Sequence, residues 1–163
     1  MTRADPAPHP APVPQAGEAK YRVRLADWQA DEAQLRSIRH AVFCVEQAVP
    51  ESLEWDGLDD ACRHAIAEDA SGRAIGCGRL LPDGHIGRMA VGAQWRGKGI
   101  GAALLGQLIA LASVRGDAKV MLNAQTHAMP FYARYGFTPV GEPFEEAGIP
   151  HQAMEAVLPA RPG

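Results

Sequence analysis

The sequence predicts an α/β domain with a mixed, largely antiparallel sheet of about six or seven strands, flanked by about four helices. In the first half of the chain, short segments of alternating hydrophobicity are separated by turn residues, which is typical of an antiparallel meander. A long helical pattern of apolar residues follows, and then a short strand, a short helix and two closing strands.

The first half of the chain begins with a strand over residues 20–26, where apolar and polar residues alternate. Asp27 or Asp31 then provides a helix cap, and apolar residues recur at helical spacing as far as Val45. The acidic stretch 47–60 predicts a loop with a short helical turn. Strands of the meander are predicted over residues 65–68, 74–81 and 85–91.

The second half of the chain contains the two remaining helix patterns. The first starts at Ile100 and ends at Gly116, a residue type that is favoured just past a helix C-terminus. The second covers residues 128–135, where Pro130 is tolerated in the first turn. The remaining strands are predicted over residues 120–124, 138–141 and 152–158.

Length, charge and hydropathy limit the class of protein. The chain of 163 residues fits one domain with a substantial core, which we assign to residues 20–160. Residues 1–19 carry proline at alternate positions from 6 to 14 and predict a flexible tail. The net charge of −3 argues against a nucleic-acid partner. No apolar run approaches the roughly 20 residues that span a bilayer, so no membrane partner is expected.

The three cysteines predict reduced thiols in a cytoplasmic protein. Cys44, Cys62 and Cys77 are odd in number, and no two of them form a C-x-x-C pair. The spacing of Cys62 and His64 does not match the paired ligands of a zinc site, so no metal is expected.

A glycine-rich segment at residues 96–101 joins a predicted strand to the start of the long helix. The free N–H groups and the dipole of a helix N-terminus bind anions, and glycine lets the backbone approach a phosphate closely. Arg96 and Lys98 would add charge-assisted hydrogen bonds. The segment therefore predicts a pyrophosphate-binding loop.

Two nucleotide-binding motifs match this segment only in part. Residues 92–98 match the start of a P-loop, but Gly99 stands where the magnesium-binding Ser or Thr would be. Gly97, Gly99 and Ala102 match a dinucleotide-binding fingerprint, but antiparallel strands precede them instead of a βαβ unit. An ATP- or NAD-binding protein remains an alternative.

A third motif is accompanied by further matches along the chain. Arg96-x-x-Gly99-x-Gly101 resembles the acetyl-CoA motif of the GNAT superfamily of N-acetyltransferases, R/Q-x-x-G-x-G/A. Residues 125–137 resemble the second GNAT signature, with Gln125 in place of the usual Asn. Residues 42–47 and 141–151 resemble an ElaA-like bacterial branch. The resemblance covers roughly residues 20–158 in consistent order.

The resemblance implies how acetyl-CoA, as co-substrate, would bind. In GNAT enzymes the strand before the glycine-rich loop diverges from its neighbour at a bulge, and its backbone binds the pantetheine arm and the acetyl carbonyl. Here the diverging strands would be residues 84–91 and 120–124. The resemblance assigns acetyl-CoA binding to Met89, Ala90, Val91, Arg96, Gly97, Lys98, Gly99, Ile100, Gly101, Gln125 and Tyr132.

The resemblance also implies a mechanism, in which a primary amine attacks the thioester directly in a ternary complex. Tyr132 stands at the place of the GNAT tyrosine that protonates the departing thiolate. The amine must lose a proton, and the candidate bases are Glu46, His64 and His151, together with the acids Glu54, Asp56, Asp59 and Asp60. Deprotonation through water, without a single essential base, is an alternative.

Three questions remain open at the level of sequence. The acceptor is a small-molecule or peptide amine, and the acidic residues 51–60 either attract a cationic amine or form a solvated surface. A CoA-binding regulatory module without catalysis is the alternative function. Homodimers are frequent in this superfamily, so a homodimer stays open, although no sequence feature marks an interface.

Overall fold

The structure is a computed structural model that describes residues 21–159. The proline-rich segment 1–19 and residues 20 and 160 of the predicted domain lie outside the described residues. Within them, four α-helices are formed: α1 (Trp28–Arg39), α2 (Glu51–Glu54), α3 (Ile100–Arg115) and α4 (Met129–Ala133). The strands are β1 (Tyr21–Ala26), β2 (Arg63–Asp69), β3 (Ala74–Leu80), β4 (His85–Val91), β5 (Lys119–Gln125), β6 (Thr138–Pro139), β7 (Phe144–Glu146) and β8 (Ile149–Val157).

The strands form one open sheet in the order β1-β2-β3-β4-β5-β8-β6, with β7 paired to β8. Strands β1 to β4 are an antiparallel meander, β4 and β5 are parallel, and β5 and β8 are antiparallel. The predicted fold class is therefore confirmed, with eight strands where about six or seven were expected.

The additional strand is β7, which the sequence did not reveal because it is short and its residues are exposed. Its pairing also lengthens β8, which begins at Ile149, three residues before the predicted start at Gln152. Strand β6 is shorter than predicted, because Gly141 has φ +74° and leaves the extended conformation.

Helix α1 begins directly after Asp27, one of the two predicted caps. The Asp27 side chain makes no capping hydrogen bond. Instead, the Asp31 carboxylate accepts a hydrogen bond from the Asp27 backbone N–H at 3.0 Å and pairs with Arg24. Asp31, which lies inside the helix, therefore stabilises its first turn and links the helix to β1.

Helix α1 continues into a π-helical segment, His40–Glu46. This explains why the helical spacing extended to Val45 although the α-helix ends at Arg39. Segments of π-helix are uncommon and occur frequently at functional sites, where they redirect side chains. Here the segment carries Phe43 and Glu46 along the edge of the site described below.

Two cores cover the two faces of the sheet. On one face α3 packs through Leu104, Leu105 and Leu108, which are fully buried. On the other face α1 packs through Leu35 and Ile38. Of the helices within residues 21–159, none is both long and apolar enough to cross a bilayer.

Candidate active site

Strands β4 and β5 separate to form a groove in the middle of the sheet. They pair only where His85 faces Met121 and Ile86 faces Leu122. Beyond these pairs the strands diverge, as predicted for residues 84–91 and 120–124. The resulting groove has a volume of about 840 Å³ and is lined by both strands and by the π-helical segment.

A β-bulge in β4 accompanies the separation. Gly87 pairs with Arg79 and Ala90 pairs with Cys77, so Arg88 and Met89 together face one β3 residue, Gly78. Arg88 has φ +53°, a left-handed conformation that is uncommon for a residue with a side chain. The bulge expected from the GNAT resemblance is therefore present.

The groove edge of β4 is open beyond the bulge. Ala90 and Val91 pair with β3 on one side, and no β5 residue pairs with Met89, Ala90 or Val91 on the other. These three residues line the groove. Apart from the Val91 carbonyl, which accepts a hydrogen bond from Arg96, backbone groups on this edge are available to hydrogen-bond an extended ligand.

The glycine-rich loop lies at the end of this edge. Gly97 and Gly99 have φ of +80° and +86°, and α3 begins at Ile100. The first hydrogen bond within α3 runs from the Ala103 N–H to the Gly99 carbonyl at 3.0 Å, so the N–H groups of residues 100–102 have no partner within the helix. A β-carbon built on Gly97 would meet nothing within 4 Å. The loop therefore fits a diphosphate.

Arg96, which the sequence assigned to diphosphate binding, is bonded to protein groups in this structure. Its guanidinium forms a bidentate ion pair with Glu46, at 2.6 and 2.7 Å, and its Nε donates to the Val91 carbonyl at 2.8 Å. The pairing joins the π-helical segment to the end of β4. Lys98 is exposed, and its carbonyl accepts a hydrogen bond from the Tyr21 hydroxyl.

Gln125 stands at the end of β5 and lines the groove. Its side-chain amide donates to the Gln47 side chain at 3.0 Å, which links β5 to the end of the π-helical segment. Gln125 was predicted as a ligand-binding residue, but its partner Gln47 was not, because the two residues are far apart in the chain.

Tyr132 is buried in α4 and lines the groove. Its ring packs edge-on against Phe131 and Phe137. Among the described residues, none forms a hydrogen bond with its hydroxyl. Burial raises the pKa of Tyr132 to about 12, so the hydroxyl is protonated at neutral pH.

The candidate bases Glu46, His64 and His151 lie in different surroundings. Glu46 lines the groove, but hydrogen bonds from Arg96 and the charge of that residue lower the pKa of the Glu46 carboxyl. His64 is outside the groove lining, stacked on Trp28, and burial lowers the pKa of its imidazole. His151 lines the groove, and its Nδ1 lies 2.7 Å from the Ile149 carbonyl oxygen.

The acidic residues 51–60 are not only a solvated surface, because two of them are buried. Nor are these two free to bind a cationic amine, because arginines of this chain already pair with them. Glu54 and Asp59 are buried, and Arg39 binds both of them at 2.8 and 2.7 Å. Asp59 and Asp56 also accept hydrogen bonds from Arg79. Burial alone would raise the pKa of Asp56, but Arg79, the Leu58 N–H and Arg88 lower it to about 2.

Arg88 is a further residue of the groove that the sequence analysis missed. Its guanidinium contacts Glu54 and Asp56, and its side chain is one-fifth exposed. An arginine among the apolar residues and glycine of positions 86–91 was the signal that could have identified it. The paired acids that hold it are distant in the chain, so its environment could not be read from the sequence.

Comparison with known proteins is consistent with this geometry. Residues 25–158 match the family described as acetyltransferase (GNAT) domain. The uncharacterised N-acetyltransferase YjcF of Bacillus subtilis is 35% identical over 131 residues, which cover 76% of this chain and 93% of YjcF. The ElaA protein of Escherichia coli is 34% identical over 128 residues, which cover 74% of this chain and 83% of ElaA.

Solved structures share the fold. The crystal structure of Escherichia coli ElaA superposes with a TM-score of 0.75 at 30% identity, covering 83% of this chain and 99% of that one. An acyl-CoA N-acyltransferase from Pseudomonas aeruginosa superposes with a TM-score of 0.75 at 31% identity, covering 84% of this chain and 99% of that one.

Proposed function

The chain belongs to the GNAT acetyltransferase family, and we propose that it transfers the acetyl group of acetyl-CoA to a primary amine. The observation that carries the proposal is the divergence of β4 and β5 beyond Ile86 and Leu122, which opens a groove that ends at the glycine-rich loop. Membership of an acyltransferase family makes acyl transfer the reaction class. Acetyl-CoA as donor and an amine as acceptor are the proposed specifics.

Each part of the donor has a counterpart along this groove. The N–H groups at the start of α3 would hold the diphosphate. The open edge of Met89–Val91 would hydrogen-bond the pantetheine arm, and Gln125 would contact it from β5. An N–H on that edge would also stabilise the negative charge that develops on the carbonyl oxygen during attack. The donor supplies an activated acetyl thioester.

In the proposed reaction, the amine nitrogen forms a bond to the acetyl carbon as the bond from carbon to sulfur breaks. Tyr132 would give its proton to the departing thiolate, because it is protonated at neutral pH and lies in the groove. The hydroxyl has no hydrogen-bond partner among the described residues, so no protein group competes with the departing sulfur for its hydrogen.

His151 is the base that the surroundings favour over Glu46 and His64. A carbonyl oxygen only accepts hydrogen bonds, so the contact with Ile149 places the proton of neutral His151 on Nδ1. The unprotonated Nε2 is then able to accept a proton from the acceptor ammonium. Glu46 is weakened as a base by Arg96, and His64 is outside the groove lining.

Replacing His151 by alanine is expected to lower kcat by about two to four orders of magnitude, the usual contribution of a general base. Imidazole added to the assay should restore part of the lost activity, because it fits the space left by the side chain and accepts a proton. The same substitution at His64 serves as the control, and imidazole should not rescue it. An unchanged kcat in His151→Ala would instead favour deprotonation through water.

Replacing Gly99 by alanine is expected to weaken acetyl-CoA binding about tenfold, because a side chain in the left-handed conformation costs about 1–2 kcal/mol and displaces the loop. Gly116 at the other end of α3 has φ +93° and provides the matched control. Its replacement by alanine should cost similar stability and leave the dissociation constant unchanged. Calorimetric titration and thermal unfolding of both variants measure the two effects, and equal affinities would contradict the loop assignment.

The proposal is tested by incubating the protein with acetyl-CoA and a panel of primary amines. Release of the CoA thiol and a mass increase of the amine by one acetyl group measure the transfer. Acetylation of at least one amine supports the proposal. Tight acetyl-CoA binding without transfer to any amine would instead favour a CoA-binding regulatory module.

A further inference from the structure

The bulge in β4 places Arg88 on a face of the sheet that regular alternation would not give it. Ile86 and Met89 pack with the core beneath α3, whereas Ala90 packs with the core beneath α1. In a regular strand, Arg88 would share the face of Ile86 and point into the core beneath α3. The extra residue at the bulge instead turns its side chain toward α2 and the groove.

Arg88 is held there by contacts on two of its three guanidinium nitrogens. Its Nε lies 3.1 Å from a carboxylate oxygen of Glu54, and its Nη2 lies 2.9 Å from the Glu54 carbonyl and 3.2 Å from Asp56. Neither its Nε nor its Nη1 has a hydrogen-bond partner among the described residues, but Nε is buried beside the Glu54 carboxylate, whereas Nη1 is not buried. The side chain lines the groove.

The guanidinium of Arg88 is held in place, and its Nη1 is available to a ligand. The acids lie along the edge formed by Nε and Nη2, which holds the side chain in one orientation and leaves Nη1 as the donor that a ligand can reach. Guanidinium groups bind carboxylates well because their donors are rigid and permanently charged. A left-handed conformation at a residue with a side chain is also costly, and such conformations cluster at functional sites.

We propose that Arg88 makes the enzyme selective for acceptor amines that also carry a carboxylate, which Nη1 binds in the groove. This inference rests on the proposed amine acetylation and specifies its substrate class. Arg88 is then a specificity-determining residue that contacts the acceptor. The carboxylate would approach the free corner, on the opposite side of the guanidinium from Glu54 and Asp56.

The test compares acceptors in matched pairs with and without a carboxylate. The pairs are glycine with methylamine, β-alanine with ethylamine, γ-aminobutyrate with propylamine, 5-aminopentanoate with butylamine, and phenylalanine with phenethylamine. A hydrogen bond to a charged group contributes about 1.5–3 kcal/mol, so kcat/KM should favour the carboxylate in at least one pair by roughly 10- to 150-fold. In Arg88→Gln that ratio should fall to about one, and Arg88→Lys should keep part of it.

The ratio of kcat/KM values within a pair distinguishes recognition of the carboxylate by Arg88 from a purely structural role of Arg88. Loss of the ion pairs with Glu54 and Asp56 would lower kcat/KM for both members of a pair equally, whereas loss of recognition changes their ratio. Acetylation without any preference for the carboxylate, or a preference that survives in Arg88→Gln, would overturn the inference and leave the proposed function intact. Acetylation of no amine in the panel would overturn both.

Discussion

Replacing Tyr132 by phenylalanine is expected to lower kcat by about two to four orders of magnitude, the range that a general acid usually contributes. The substitution removes only the hydroxyl, which is protonated at neutral pH because burial raises the pKa of Tyr132 to about 12. The ring packing against Phe131 and Phe137 is retained, so folding and acetyl-CoA affinity should change little. Steady-state kinetics and calorimetric titration of the variant measure these effects.

Tyr135→Phe is the matched control for this prediction. Tyr135 is buried in the same aromatic cluster and contacts Phe131, but it is outside the groove lining. Its replacement should leave kcat close to the value of the unmodified enzyme, whatever its effect on stability. A Tyr132→Phe variant with normal kcat would show that another group or water protonates the thiolate.

Replacing Arg39 by alanine is expected to destabilise the fold by about 3–5 kcal/mol, the usual effect of removing one partner of a buried ion pair. Arg39 is 1% exposed and is the partner of Glu54 and Asp59, which are also buried. Its guanidinium also lies over the Trp55 ring, at 4.8 Å from the ring centre. Without it, two carboxylates lose a hydrogen-bonded cation inside the protein, which chemical denaturation should detect.

Arg22→Ala provides the control for the buried pair. Arg22 also bonds a carboxylate, that of Glu68, but its side chain is 71% exposed. Exposed ion pairs contribute about 0.2–1 kcal/mol, and Glu68 keeps its contact with Arg24. Equal losses of unfolding free energy in the two variants would contradict the account of the charged cluster.

The sequence predicted the parts of the fold that depend on local pattern. The antiparallel meander, the long helix between Ile100 and Gly116 and the short strand after it follow from periodicity and turn residues, and all are present. Strand β7 was missed because its residues are exposed and its pairing with β8 is a tertiary contact. The π-helical segment has no pattern of its own that distinguishes it from an α-helix.

The parts of the candidate site that are formed by the backbone were predictable from the sequence. The parts that depend on contacts between side chains were less predictable. The glycine positions of the loop were identified from motif spacing and the open edge of β4 from the GNAT resemblance, and in the structure the loop follows β4 and leads into α3. The partner of Arg96 was not identified from the sequence, because Glu46 lies 50 residues away. The cluster around Arg39, Arg79 and Arg88 likewise joins distant segments, and sequence analysis interpreted its acids as a separate charged stretch.

The central claim is that the groove between β4 and β5 binds acetyl-CoA, and calorimetric titration of the protein tests it most directly. Acetyl-CoA is the titrant, with ATP and NAD as controls, because both also carry a diphosphate that a glycine-rich helix start can bind. The account predicts a dissociation constant in the micromolar range for acetyl-CoA and no heat of binding for the two controls. Folded protein that binds ATP or NAD, or that does not bind acetyl-CoA, would contradict it.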